Sequence, residues 1–137
     1  MILTLACTTS APALCLPEEC VLFEARELAK AGSRQEAKAL CGTLEGIWED
    51  ECWFLVSDTL DLVGEEAFAT CRMARSFERH CLGHALTRQA EILMAEPGNE
   101  AAALRILTDG FARHYPLPRA KAEAQHLVDA ELSRRDD

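Results

Sequence analysis

The chain has 137 residues, of which 49% are hydrophobic and 27% charged, with a formal net charge of −9 and a pI of about 4.9. This length and composition predict one soluble globular domain with its own core and exclude the intrinsically disordered class. The acidic surface repels phosphate backbones, and no run of Lys and Arg offsets it, which argues against nucleic acid as a partner.

The first 19 residues lack a helical period and contain Pro12 and Pro17. Residues 1–7 read M-I-L-T-L-A-C and resemble the end of a bacterial lipoprotein signal: apolar residues, a small residue and a cysteine. The resemblance departs from a complete signal, because no basic residue precedes the apolar stretch and that stretch is short. It implies that residues 1–19 are a signal remnant and tether, and that Cys7 is the lipidated residue.

Every later apolar stretch has a helical period, and none alternates with the period of two that a strand requires. The sequence therefore predicts an all-α domain over residues 20–137, with six to seven helices. The predicted helices cover residues 18–31, 33–41 and 47–62. A fourth helix is predicted to begin at Glu65, and three more cover residues 76–95, 100–114 and 119–135. The last helix is expected to bury Ala122, Leu127, Val128 and Leu132.

A heptapeptide pattern occurs three times. Residues 35–41 read Q-E-A-K-A-L-C, residues 65–71 read E-E-A-F-A-T-C, and residues 99–105 read N-E-A-A-A-L-R. A bulky apolar residue follows each copy at the same distance: Ile47, Phe77 and Phe111. Self-similarity of this length predicts stacked αα-hairpin repeats, about three units closed by a capping helix.

Short helix pairs with Ala at close-contact positions, joined by the turn P-G-N-E-A-A at residues 97–102, resemble tetratricopeptide-type repeats. The resemblance covers roughly residues 20–115. The Trp, Leu-Gly and Tyr positions of that family are not matched, and the period is not constant. The resemblance therefore implies the helix-pair architecture alone.

The chain has seven cysteines and no C-x-x-C pair of the kind that binds metal. The spacings suit disulfides, which indicate an oxidising compartment. We therefore expect the periplasm or cell envelope. With Cys7 lipidated, six cysteines remain, and an even number allows every thiol to be paired.

Three pairing schemes fit these spacings. The junction scheme joins Cys41 to Cys52, Cys71 to Cys81 and Cys15 to Cys20; the hairpin scheme joins Cys20 to Cys41 and Cys52 to Cys71; the nested scheme joins Cys52 to Cys71 and Cys41 to Cys81. The nested scheme resembles the coiled-coil-helix proteins with twin cysteine pairs. In the third heptapeptide copy the aligned positions are Arg105 and Tyr115, so both junction cysteines are missing together. That favours the junction scheme and leaves the others open.

His80 and His84 lie four residues apart and could hold a metal ion on one helix face. A third ligand is missing, since position 88 is Arg, and a surface histidine pair explains the same spacing. The acidic runs at residues 49–51 and at Asp58 and Asp61 are read as solvated helix surface, because nothing identifies a cleft around them.

The aromatic residues of the second unit fall into two pairs. Trp48 and Phe77 occupy recurring positions and are predicted to be core residues. Trp53 and Phe54 lie on opposite sides of the neighbouring apolar stripe, so one of them is expected to contribute to an exposed patch that binds a partner.

The preferred hypothesis is a non-enzymatic, extracytoplasmic, disulfide-stapled helical-repeat protein, of lipoprotein type, that binds a protein partner on its concave face. It has no catalytic residue and no cofactor, and it contacts membrane only through a lipid anchor at Cys7. The alternative is a small thiol-redox or metal-handling protein that uses Cys81, His80 and His84.

Overall fold

A computed structural model describes residues 14–136, and over this range the chain forms α-helices and no strand. The all-α prediction is confirmed. The helices are α1 (Pro17–Lys30), α2 (Arg34–Cys41), α3 (Gly46–Thr59), α4 (Gly64–Met73), α5 (Glu78–Leu93), α6 (Glu100–Phe111) and α7 (Leu117–Arg135), with a 3₁₀ turn at Arg75–Phe77 between α4 and α5. The signal-like segment and Cys7 lie outside the described residues. Helix α1 starts inside the segment predicted to be a tether.

The odd-numbered helices pack in chain order, α1 on α3, α3 on α5 and α5 on α7. Each even-numbered helix packs across the two odd-numbered helices that flank it in the chain. The contacts are thus between neighbours in sequence, as the short connections require.

The core consists of two large clusters joined by a small one. The first lies among α1, α2 and α3 and the second among α5, α6 and α7. Leu62, Ala67 and Ala85 form the link between them. Many of the fully buried residues are Ala, whose small side chain lets helix backbones approach closely.

The even-numbered helices share a buried Ala followed four residues later by a second buried residue. The pairs are Ala37 and Cys41, Ala67 and Cys71, and Ala103 and Leu107. In each helix the Ala is the fourth residue, so the helix start sets which face is buried. The third heptapeptide copy begins before its helix does, and its alignment with the other two is therefore wrong by two residues. Its Ala101 and Arg105 are exposed.

The bulky apolar residues that follow the three heptapeptide copies also differ in burial. Phe111 is buried, Phe77 is half-buried, and Ile47 is 55% exposed.

Helix α7 buries Ala120, Ala124 and Val128, with Leu127 and Leu132 partly buried against them. The predicted burial of Ala122 is wrong, because two residues along a helix turn the side chain to the opposite face.

Three disulfides join Cys15 to Cys20, Cys41 to Cys52 and Cys71 to Cys81, with Cα atoms 5.8, 5.4 and 5.3 Å apart. These are the pairs of the junction scheme, and the hairpin and nested pairs do not occur. The second and third bridges each fix the end of an even-numbered helix to the helix that follows, and their four cysteines are at most 1% exposed. Disulfides of this kind indicate an oxidising, extracytoplasmic environment.

Candidate functional site

Two adjoining cavities lie between α4 on one side and α6 with the turn that follows it on the other, with α5 as their floor. We call them together the α4–α6 groove. The first cavity has a volume of about 370 Å³ and is lined by Cys71, Arg72, Glu78, Leu82 and His114. The second has a volume of about 360 Å³ and is lined by Glu65, Leu86, Gln89, Ile106 and Asp109. Phe68 and Arg113 line both cavities.

Arg113 and Phe68 form the partition between the two cavities. The guanidinium carbon of Arg113 lies 4.0 Å from the centroid of the Phe68 ring. Arg113 Nη2 also donates to Glu65 Oε1 at 2.6 Å. The Glu65 side chain is 81% exposed, so this ion pair is screened by water and stabilises the contact only weakly. The partition can therefore rearrange at small cost.

The two cavities carry opposite charge. In the first, Arg72 and Arg113 stand at the rim, and His114 Nε2 lies 3.0 Å from Glu78 Oε2. In the second, the ionisable groups besides Arg113 are the carboxylates of Glu65 and Asp109. A cationic rim stands out on a chain whose formal net charge is −9.

Ion pairs also connect α2 to α4. Glu66 accepts hydrogen bonds from Arg34 and Lys38, and these hold the pKa of Glu66 below its ordinary value in spite of partial burial. Each gap between successive even-numbered helices is thus spanned by side chains of opposite charge. Arg34 and Lys38 thus contact α4, which forms one wall of the groove.

Asp50 of α3 is 7% exposed, so its assignment to the solvated helix surface is wrong. Its carboxylate accepts hydrogen bonds from Arg75 Nε and from Ser76 Oγ, each at 2.8 Å. Burial alone would raise the pKa of Asp50, but the bonds from Ser76 and Arg75 outweigh it and lower the pKa. The sequence signal for its burial is the spacing of seven from the buried Ser57, which places both residues on one helix face.

These bonds anchor the 3₁₀ turn at Arg75–Phe77 to α3. Arg75 has a φ of 38°, in the left-handed region that side chains other than glycine rarely adopt. It is held there by Asp50 and by Glu49, whose Oε1 accepts from Arg75 Nη2 at 2.8 Å. The turn directly follows α4 and opens α5, so the Asp50 contacts help to set the angle between a wall and the floor of the groove.

The structure does not assemble His80, His84 and Cys81 into one site. Both histidines are exposed, whereas Cys81 is 1% exposed and disulfide-bonded. His84 Nδ1 lies 2.9 Å from Asp58 Oδ1, the same oxygen that accepts from Arg88 Nη1 at 2.8 Å. Among residues 14–136 no three or more His, Cys, Asp or Glu side chains are grouped so that they could hold a metal ion.

The four aromatic residues are all half-buried, so Trp48 and Phe77 are not the buried core residues that the sequence predicted. Trp48 and Trp53 pack on the first core cluster, while Phe54 and Phe77 stack on each other with centroids 6.0 Å apart. His84 meets the Phe54 ring edge-on at 5.1 Å. Phe54, Phe77 and His84 thus pack together at the surface between α3 and α5, and the contribution of Trp53 or Phe54 to a partner-binding patch stays a prediction.

The chain has no significant match among protein-family models, curated proteins or solved structures. Within the described part of the chain, no helix combines the length and the apolar character needed to cross a membrane.

Proposed function

We propose that this protein is a non-enzymatic, extracytoplasmic helical-repeat scaffold that binds a protein partner in the α4–α6 groove. The observation that carries the proposal is the groove itself, whose two cavities offer apolar floor and charged rim side by side. Its frame is held rigid by the Cys71–Cys81 disulfide and by the Asp50 contacts. A rigid frame lowers the entropy cost of binding.

The same geometry weighs against the thiol-redox alternative. A redox-active pair must be reached by an attacking thiolate. The Cys71–Cys81 bridge lies between α4 and α5, and although Cys71 lines the first cavity, each cysteine is only 1% exposed. Metal handling by His80 and His84 is disfavoured because Asp58 and Arg88 occupy the neighbourhood of His84.

A photocrosslinking amino acid placed in the groove tests the binding function. Ile106 lies on the α6 wall and is 38% exposed, while Ile92 lies on α5 away from both cavities and is 58% exposed. Replacing Ile106 with p-benzoylphenylalanine in the exported full-length protein should give one discrete adduct with another protein. The same replacement of Ile92 is the matched control. Equal adducts at both positions, or none at Ile106, would refute binding in the groove.

We also propose that Cys7 carries a lipid and holds the domain at a membrane of the cell envelope. Two signals are generally needed for stable anchoring, and a diacylated cysteine supplies two chains at once. The Cys7→Ser variant should lose incorporation of an alkyne-labelled fatty acid and move from the membrane fraction to the soluble one. Undiminished labelling of Cys7→Ser would refute the anchor without bearing on the groove.

A further inference from the structure

We propose that the α4–α6 groove binds an extended peptide segment with an acidic side chain at one end, a basic side chain at the other and apolar residues between them. This inference rests on the proposed function and specifies the chemistry of the partner. Three features of the groove carry it: its length, the order of its charges and the apolar floor between them.

The length follows from the helix that forms the floor. Glu78 lines the first cavity and Gln89 the second, so the groove runs along this stretch of α5. At 1.5 Å per residue, eleven steps of helix cover about 16 Å. An extended chain advances about 3.3 Å per residue, so about five residues fill the groove.

The charges are ordered along the same axis. Arg72, near the end of α4, and Arg113, in the turn after α6, line the first cavity together with one carboxylate, Glu78, which lies 3.0 Å from His114 Nε2. Glu65 and Asp109, from earlier positions of the same two helices, line the second. The groove therefore has a cationic end and an acidic end, and a segment with the opposite order of charges is attracted in one direction only.

Apolar surface lies between the charged ends. Leu82 and Leu86 form the floor and are at most 2% exposed, with Phe68 and Ile106 on the walls. One face of the Phe68 ring is covered by Arg113. A leucine-sized side chain of the peptide can be buried against this surface, where most of the binding energy of such segments arises.

Arg113 lets the groove accept the peptide without leaving a charge unpaired. Its present partner Glu65 is exposed, so exchanging that carboxylate for the acidic side chain of the peptide costs little. Glu65 is then free to pair with the basic side chain at the other end. The number of ion pairs is conserved or increased in the exchange.

Three fluorescein-labelled pentapeptides test the proposal by fluorescence anisotropy with the oxidised full chain: E-L-A-L-K, its reverse K-L-A-L-E, and the uncharged Q-L-A-L-Q. One of the two charged peptides should bind about two- to tenfold more tightly than the uncharged one, because ion pairs at an exposed rim each contribute only a little. Equal binding of all three, or no saturable binding of either charged peptide, would overturn the proposal.

Charge reversal at the groove ends sharpens the test. Arg72→Glu and Asp109→Lys should each weaken binding of the preferred peptide about two- to tenfold, whereas the controls Arg135→Glu and Glu96→Lys, which are equally exposed but do not line the groove, should not. The double variant Arg72→Glu with Asp109→Lys exchanges the charges of the two ends, so the preferred peptide should bind it in the opposite direction and regain part of the affinity that each single variant loses. Equal effects of the controls, or a double variant that binds no more tightly than the single ones, would contradict the charge order. A partner adduct at Ile106 without peptide binding would leave the binding function standing and remove this inference alone.

Discussion

Gly110 lies where α6 packs against α5, and replacing it with alanine measures how tightly these helices fit. A Cβ atom built on Gly110 would lie 2.6 Å from Leu86 Cδ2 and 3.3 Å from Leu86 Cδ1. Leu86 is 1% exposed and belongs to the second core cluster, so its side chain can shift only toward the second cavity, which it lines. Overpacking of this kind destabilises by about 1–3 kcal/mol. The gain in helix propensity from Gly to Ala offsets about 1 kcal/mol of that.

Gly83 provides the matched control, because it lies in α5 and an added Cβ meets nothing within 4 Å. Gly83→Ala should therefore stabilise the protein by up to about 1 kcal/mol. The free energy of unfolding of Gly110→Ala should then lie below that of Gly83→Ala by about 1–3 kcal/mol, the overpacking cost. Urea unfolding followed by circular dichroism gives both values.

A double-mutant cycle with Leu86→Ala separates the steric cause from a general effect of alanine. Leu86→Ala removes the two methyl groups that the new Cβ would meet, so in that background Gly110→Ala should become stabilising. If Gly110→Ala has the same effect with and without Leu86, close packing of α6 on α5 at this point is refuted.

Three further predictions follow from the contacts described above. Asp50→Asn should lower the unfolding free energy at neutral pH by about 1–3 kcal/mol. Because the folded pKa of Asp50 is depressed, its contribution to stability is present above its unfolded pKa of about 3.9 and is lost as the pH falls through the lower folded value. The difference in unfolding free energy between wild type and Asp50→Asn should therefore disappear in acid. A difference that does not change with pH would contradict this. Cys71→Ser should leave Cys81 as the alkylated thiol in peptide maps, and label on Cys52 in its place would refute the junction pairing. Reduction should lower the melting temperature by well over a few degrees, since each disulfide that closes a short loop contributes about 2–3 kcal/mol. The helical circular dichroism signal should persist below the transition. A shift of one or two degrees would show that the bridges are not structural.

The all-α fold was predictable because hydrophobic periodicity is a local property of each segment. Two helix starts were close to the predicted ones for the same reason: Gly64 opens α4, and the turn at residues 97–99 directly precedes α6. The phase of the third unit was not predictable from the heptapeptide letters. The first buried residue of α6 is Ala103, the fourth residue of that helix, whereas the third heptapeptide copy begins at Asn99, one residue before the helix, and so aligned Ala101 in its place.

The groove could be predicted only as a concave surface, without its residues. Arg113 and Phe68 are 45 positions apart, and nothing local in either segment shows that they meet. Asp50 was missed because a run of three acidic residues is typical of solvated surface. Its partners Arg75 and Ser76 come from a turn whose left-handed residue is not glycine, so no turn signal marked it.

The two buried disulfides close short covalent rings in the backbone, from Cys41 to Cys52 and from Cys71 to Cys81. A protease that cut one peptide bond inside either ring would leave both new ends attached to the same molecule. The nicked chain would keep its mass under non-reducing conditions and separate into fragments only after reduction. Each ring encloses a connection between helices, the kind of segment in which proteases preferentially cut. In an environment that contains secreted proteases, a molecule cut at one of these turns therefore remains a single covalently connected protein.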